Sequence, residues 1–235
     1  QEWGSIWKRI LEYVLPGVKI NDLIWESEVT TTYKKDEKLP QNFQKKSIKT
    51  GIEWYKSAKM LIADSCVDSL QNLINSGTER IKWDKDSPLG NGSNGSFECI
   101  FSEINENGSQ PIGIIVRGDC VSETAMAFAT SGAVLKDKES SMVAQNLIDF
   151  YLINSIATQN EYGDAYHGAY GLIPWGISNY SWYKASYGDD NARFILATLI
   201  TSAILKTDRW DEKLLRSLLA LLRTTGKNGF RGDRI

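Results

Sequence analysis

Two adjacent acidic residues, Asp189 and Asp190, lie at the predicted start of a helix, where a carboxylate can cap the helix or take part in catalysis. They follow Gly188 and directly precede a segment whose apolar residues recur at helical spacing. An aspartate here can cap the helix, and the helix dipole favours its ionised form. Because one cap takes only one acid, we predict Asp189 as the cap and Asp190 as a general base or stabilising carboxylate. Arg193, one helical turn further, is expected to pair with one of the two acids.

A second carboxyl group would turn Asp190 into one half of a catalytic pair. Cleavage of a glycosidic bond uses two carboxyl groups, one of them protonated. Asp164 is the first candidate for the acid, because it lies beside Tyr162 and Tyr166, where partial burial would raise its pKa. Asp119 is the second candidate, and an N-cap for the following helix explains it equally well. The sequence does not give the separation of the two groups, so retention and inversion both stay open.

Aromatic residues are concentrated in the stretch 158–189, in a chain that has 8 Trp and 10 Tyr. Flat rings with a polar edge suit the C–H faces of sugar rings, although protein cores use the same residues. A connection of this length in a compact domain is usually functional. The predicted substrate-binding residues are His167 (the only histidine), Tyr166, Tyr170, Trp175, Trp182 and, as an anion clamp, Arg117.

Composition excludes several classes of function. The 27 basic and 29 acidic residues give a net charge of -2, with no basic run suited to nucleic acid. No apolar stretch reaches the roughly 20 residues that cross a membrane. Cys66, Cys99 and Cys120 lack the close spacing of a metal or redox site and are expected to be structural. No motif for phosphate, zinc or a serine nucleophile is present. We therefore predict no metal and no cofactor.

The elements that carry these residues are predicted to be mainly helical. Apolar spacing predicts a helix over 3–15, an extended linker over 18–40 and helical structure over 42–75, with a break or kink at Gly51. Two strands, 97–104 and 112–116, are joined by Asn107-Gly108, a strong hairpin signal. Two αα-hairpins follow, because the connections between their helices are short. Their predicted helices span 121–135 with 140–157 and 190–206 with 211–225.

Four stretches of the chain resemble a known family. They are Arg117–Glu123 (RGDCVSE), Tyr166–Tyr170 (YHGAY) with the following LIPW, Tyr187–Arg193 (YGDDNAR), and Arg223–Ile235 (RTTGKNGFRGDRI). Together with the Asn-Gly hairpin they resemble the six-hairpin glycosidases, in particular bacterial members of that family. The similarity covers about residues 45–235. It implies the N-terminal half of an (α/α)6 toroid, in which the loops that enter the inner helices face a central crevice.

The resemblance implies a glycoside hydrolase that acts on an oligosaccharide or polysaccharide, with Asp190 and either Asp164 or Asp119 as the catalytic pair. Two alternatives stay open: a non-catalytic carbohydrate-binding or scaffold module, and a polysaccharide lyase or sugar epimerase of the same fold. Residues 1–40 form a lead-in segment and 41–235 the partial toroid. A closed ring of twelve helices needs about 350 residues or more. We therefore expect the partner of this half ring to be a missing C-terminal half or a second copy. The family also favours a periplasmic or secreted location.

Overall fold

The computed structural model describes residues 2–20, 31 and 33–230. Part of the predicted linker 18–40 and the last five residues of the RTTGKNGFRGDRI stretch lie outside the described residues. Within the described part the chain is mainly helical, with nine α-helices and one small antiparallel sheet, which confirms the predicted class. The chain separates into two compact units, residues 1–43 and 44–235. No helix in the described ranges has both the length and the apolar character needed to span a bilayer.

The first unit contains helix α1 (Glu2–Val14), which ends just before Pro16-Gly17. Gly17 has a φ of 92°, a left-handed conformation that glycine adopts without strain. Proline cannot continue the helix because it lacks the backbone N–H donor. The predicted helix over 3–15 is therefore confirmed, and its end has the predicted cause.

The predicted helical region 42–75 contains two helices, α2 (Phe43–Ser57) and α3 (Val67–Asn75). The break does not lie at Gly51, which is inside α2. It lies at residues 58–66, where the buried segment Met60–Ala63 runs extended through the core. Its backbone bonds to a neighbouring loop: Phe97 N donates to Met60 O at 2.9 Å and Ile62 N donates to Gly95 O at 3.2 Å. These tertiary hydrogen bonds replace the helical ones where α2 has ended.

The sheet has three short strands, β1 (Arg80–Lys82), β2 (Cys99–Ile100) and β3 (Pro111–Gly113), in the order β1-β3-β2. β2 and β3 form the predicted antiparallel hairpin, although both strands are shorter than predicted. Gly108 has a φ of 78° at the hairpin tip, as expected for the second residue of an Asn-Gly turn. β1 was not predicted, because three residues are too few to show the alternation of a strand.

Two αα-hairpins follow: α4 (Gly118–Leu135) with α5 (Lys138–Asp149), and α8 (Gly188–Leu205) with α9 (Asp211–Arg223). Two single-turn helices, α6 (Asn160–Gly163) and α7 (Tyr180–Tyr183), lie in the connection between the hairpins. α5 is shorter than the predicted 140–157, because the chain continues as a turn of π-helix over Phe150–Asn154.

The two hairpins repeat each other. α4 and α8 each have 18 residues and each begin with Gly-Asp, 70 positions apart in the chain. Each ends at a lysine in the left-handed conformation, Lys136 with a φ of 58° and Lys206 with a φ of 55°. The same start and stop signals therefore define both long helices.

α4 and α8 lie side by side and run in the same direction. Ion pairs join the first two turns of one helix to the first two turns of the other, which places both N-termini at the same end. Fully buried large side chains fill the core around them, including Phe128 of α4, Phe194 of α8 and Tyr151. The rings of Tyr151 and Phe194 are 5.2 Å apart. This core fixes where the two N-termini meet.

Candidate functional site

Arg117 joins the starts of α4 and α8. It is the residue before α4, and its backbone pairs with Gly176 of the connecting loop in an isolated β-bridge. Its Nη2 donates to Asp119 Oδ2 at 3.0 Å and to Asp190 Oδ1 at 2.6 Å. Its Nη1 lies 3.5 Å from Glu98 Oε1. We call these four residues, Glu98, Arg117, Asp119 and Asp190, the acid cluster.

The acid cluster lies largely out of solvent. Asp119 is 3% exposed and the side chain of Asp190 is 10% exposed. Burial raises the pKa of Asp190 to about 6, and the nearby carboxylate of Asp119 adds to this rise against the opposing effect of Arg117. Burial also raises the pKa of Glu98. The helix dipole favours the ionised form of Asp190, but burial and the second acid outweigh it and raise the pKa instead of lowering it. Asp190 is suited to hold a proton and to donate it.

The two aspartates are close to each other. Their oxygens each lie within 3.0 Å of the same Arg117 nitrogen, so they are at most twice that distance apart. Two further polar atoms of the cluster, Asp119 Oδ1 and Arg117 Nε, are buried and have no hydrogen-bond partner in the described residues. A buried polar atom without a partner costs about 1–3 kcal/mol, so such atoms often mark a position where another molecule binds.

Arg193 marks the solvent side of the cluster. Its side chain is 51% exposed and donates to Asp119 Oδ2 at 3.3 Å and to Glu123 Oε1 at 3.0 Å. The expected pairing with Asp189 or Asp190 is wrong, because the neighbouring helix α4 offers acids on the facing side. Arg193 and Glu123, both partly exposed, therefore lie between the cluster and solvent.

Aromatic rings form a wall next to Arg117. Trp175 and Trp182 stack with ring centroids 3.9 Å apart and planes inclined by 19°. Tyr187 meets Trp175 edge-on at 5.4 Å. Arg117 Cζ lies 5.2 Å from the centroid of Trp175, within the range of a cation–π contact. Two predicted binding residues, Trp175 and Trp182, therefore form a stacked pair beside Arg117, which contacts Asp119 and Asp190.

Asn191 fixes this wall to α8. The residue is fully buried, and its Oδ1 accepts from Ile173 N at 2.8 Å. Its Nδ2 lies 3.0 Å from Ile173 O, 3.0 Å from Ser186 Oγ and 2.8 Å from Tyr187 O. One side chain thus holds both ends of the segment that carries the two tryptophans. Sequence analysis did not single out Asn191, although it lies inside the YGDDNAR stretch.

The other predicted site residues lie outside the acid cluster. Asp164 is exposed, which contradicts the predicted partial burial, and its Oδ1 accepts from Tyr166 N at 3.0 Å within a tight turn. Tyr166 is 99% exposed. His167 is exposed, and its Nδ1 accepts from Ala169 N at 3.1 Å. The ring of Tyr170 packs against Arg216, 4.9 Å from the guanidinium carbon. In the described part of the chain, no hydrogen bond or ion pair connects these four residues to the cluster.

The predicted helix caps also differ from the structure. The N-caps of α4 and α8 are Arg117 and Tyr187, and neither helix has a side-chain capping bond. Asp119 and Asp189 instead lie in the first turn of their helices, Asp119 buried and Asp189 exposed. Among the described residues, no group of three or more His, Cys, Asp or Glu side chains is arranged to hold a metal ion. A comparison with known proteins finds no family model, no curated protein and no solved structure that matches this chain.

Proposed function

We propose that this chain is the N-terminal half of a glycoside hydrolase in which Asp190 and Asp119 are the catalytic pair. The observation that carries the proposal is the shared contact of both carboxyl groups with Arg117, combined with a pKa of about 6 for Asp190. Two carboxyl groups whose environments differ are the arrangement that this reaction uses.

The roles follow from the surroundings of each acid. Asp190 donates its proton to the leaving glycosidic oxygen, because burial raises its pKa to about 6 and so leaves part of the protein with a protonated Asp190 just below neutral pH. Asp119 contacts two guanidinium groups, of Arg117 and Arg193, which stabilise its negative charge. Asp119 attacks the anomeric carbon, and Asp190 then accepts a proton from the water that releases the sugar. The sequence analysis predicted Asp190 as the base or stabilising carboxylate and Asp164 or Asp119 as the acid. The roles proposed here for Asp190 and Asp119 are the reverse.

The close spacing of the two acids favours retention. Retaining enzymes hold their carboxyl groups about 5–5.5 Å apart, whereas inverting enzymes leave about 6.5–9.5 Å for a water molecule. Two oxygens that lie 3.0 Å and 2.6 Å from the same nitrogen are too close together for the longer range. The alternative lyase or epimerase reaction would use His167 or Tyr166, and both lie outside the cluster. The geometry therefore supports a hydrolase better than either alternative reaction.

Replacement of Asp190 tests the proposal. Asn has the shape of Asp but carries no transferable proton, so Asp190→Asn should lower hydrolysis of a panel of 4-nitrophenyl glycosides by at least about 10³-fold. Asp189→Asn is the matched control: Asp189 is exposed in the same helical turn, and its variant should retain the wild-type rate. Wild-type hydrolysis that survives in Asp190→Asn would refute the assignment of Asp190. Absence of hydrolysis with retained sugar binding would favour the non-catalytic module.

We further propose that the two αα-hairpins are consecutive members of an (α/α)6 toroid. In such a ring the inner helices run parallel, and each hairpin places its inner helix beside the next. The parallel packing of α4 against α8 and their 70-residue offset support this arrangement. The acid cluster would then lie at one mouth of the central crevice, where the inner helices begin.

One side of α8 exposes apolar residues that are suited to contact a further helix. Three positions that are buried on α4, Asp119, Ser122 and Ala129, correspond to the exposed positions Asp189, Ala192 and Leu199 on α8. Leu196 and Leu199 of this stripe are 60% and 48% exposed. Exposed apolar stripes on a helix mark an interface. We propose that this side receives another helical hairpin, from a C-terminal half or from a second copy.

A further inference from the structure

A second concave surface lies away from the acid cluster. It is an open groove of about 1100 Å³ between the end of α2, strand β1 and the tip of the β2–β3 hairpin. None of its lining residues belongs to the acid cluster or to the aromatic wall. Six of them carry the argument: Trp54, Lys82, Trp83, Lys85, Asn105 and Gln110. We refer to it as the tryptophan groove.

The two tryptophans are held firmly although they meet solvent. Trp54 is 48% exposed, and its ring packs edge-on against Tyr55 at 5.2 Å. Tyr55 in turn packs edge-on against the buried ring of Phe128 at 5.8 Å. Trp83 is half-buried and rests against the main hydrophobic core. A half-exposed tryptophan on a rigid support offers a flat apolar surface without the entropic cost of ordering it on binding.

The tryptophan groove also contains hydrogen-bond donors and hydrogen-bond acceptors that are free to bind a ligand. The amides of Asn105 and Gln110 are oriented by their nitrogens, which donate to Ser109 O at 3.0 Å and to Phe101 O at 2.7 Å. Their side-chain oxygens accept no hydrogen bond from a described residue and remain acceptors. Lys82 and Lys85 form no ion pair within the described ranges and remain donors. A ligand with groups that both donate and accept therefore fits the groove.

Charge and size narrow the class of ligand. Two acids, Asp84 and Glu106, line the groove with Lys82 and Lys85, so their formal charges cancel. A phosphate or an acidic polymer would gain little there. The volume also exceeds the ~300–1,000 Å³ of ordinary small-molecule pockets, and the groove is open to solvent. A ligand made of several linked rings, each with a flat apolar face and hydroxyl groups at its edge, matches the neutral charge, the open shape and the volume of the groove.

We propose that the tryptophan groove binds a segment of a neutral polysaccharide, stacked on Trp54 and Trp83. This binding is separate from the hydrolysis proposed above for the acid cluster. It would hold a polymer on the protein whether or not a glycosidic bond of that polymer lies at the acid cluster. The two surfaces are therefore expected to respond to different substitutions.

Affinity electrophoresis of the full chain tests the groove, with gels that contain hydroxyethyl cellulose, arabinoxylan or polygalacturonate. At least one neutral polymer should retard the wild type, and Trp54→Ala should weaken that retardation at least about 10-fold, as truncation of a tryptophan at the centre of a binding surface does. Tyr180→Ala, which removes an exposed ring elsewhere on the surface, is the control and should bind as wild type does. Circular dichroism of each variant checks the fold. A second variant, Gln110→Leu, should weaken retardation without removing an aromatic ring.

Three results would refute the proposed binding of a neutral polysaccharide in the tryptophan groove. They are no retardation by either neutral polymer, equal retardation of wild type and Trp54→Ala, and binding to polygalacturonate alone. The first and third would mean that the ligand is not a neutral polysaccharide. The outcome is independent of the acid cluster, because Asp190→Asn should bind polymer as the wild type does. Conversely, Trp54→Ala should cleave any small aryl glycoside at the wild-type rate.

Discussion

Asn191→Leu is the substitution whose effect on stability can be worked out most directly from the structure. Leucine has the branched shape of asparagine but a larger volume, so the change removes hydrogen bonds and opens no cavity. Asn191 is the described hydrogen-bond partner of both Ile173 N and Ile173 O. The hydroxyl of Ser186 is buried beside the same amide.

Three polar groups would therefore remain buried without a partner: Ile173 N, Ile173 O and the Ser186 hydroxyl. Each costs about 1–3 kcal/mol, and leucine recovers part of this by burying an apolar side chain. We expect the free energy of unfolding to fall by about 3–5 kcal/mol, a large part of the ~5–15 kcal/mol typical of a domain.

Urea unfolding followed by far-UV circular dichroism and by tryptophan fluorescence measures this change. Agreement between the two probes checks that unfolding is two-state. The matched control is Asn146→Leu, which removes one exposed hydrogen bond to Asn91 O at 3.0 Å and should cost no more than ~1 kcal/mol. A loss below ~1 kcal/mol in Asn191→Leu would refute the reasoning, because it would show that these groups find other partners.

Two further predictions concern pH and association. Burial raises the pKa of Asp190 to about 6, against about 3.9 in an unfolded chain, so the folded protein binds more protons between these values. The wild-type free energy of unfolding should therefore fall as the pH rises from about 4 to about 6, and urea titrations of Asp190→Asn should lack this component. Hydrolysis should likewise decline as the pH rises through about 6, because the proton donor is lost. Sedimentation equilibrium at tens of micromolar should show an associated wild type, a dissociated Leu199→Glu and an associated Met142→Glu, whose substitution lies on the exposed face of α5. A monomeric wild type would contradict the proposed interface of α8 with a second copy.

The long helices were predictable because their apolar residues repeat with the period of the helix over many turns. α4, α8 and α9 begin or end within about three residues of the predicted positions. The break at residues 58–66 was not predictable in the same way. Ala58 and Met60–Ala63 are apolar residues in a helix-like pattern, and only pairing with the distant loop 90–97 makes them extended.

The candidate site was predictable in part. Asp119 and Asp190 were singled out because each stands at the start of a helix, and Arg117 was singled out as an anion clamp. The structure brings the three residues together. The repeated Gly-Asp at 118 and 188 is a sequence signal that the two helix starts are equivalent. Glu98 and Glu123 were missed, since a strand end and a second helical turn carry no special pattern. The protonation of Asp190 depends on burial by distant parts of the chain, which local sequence does not record.

The separation of Arg117 and Asp190 along the chain has a consequence for how the molecule folds. The two residues are 73 positions apart, whereas each αα-hairpin closes over a short connection. Local contacts form before distant ones, because closing a long loop costs more chain entropy. The hairpins can therefore assemble before the two helix starts meet. We therefore expect the carboxyl groups of Asp119 and Asp190 to remain in water until the hairpins dock, and the pKa of Asp190 to rise only at that step.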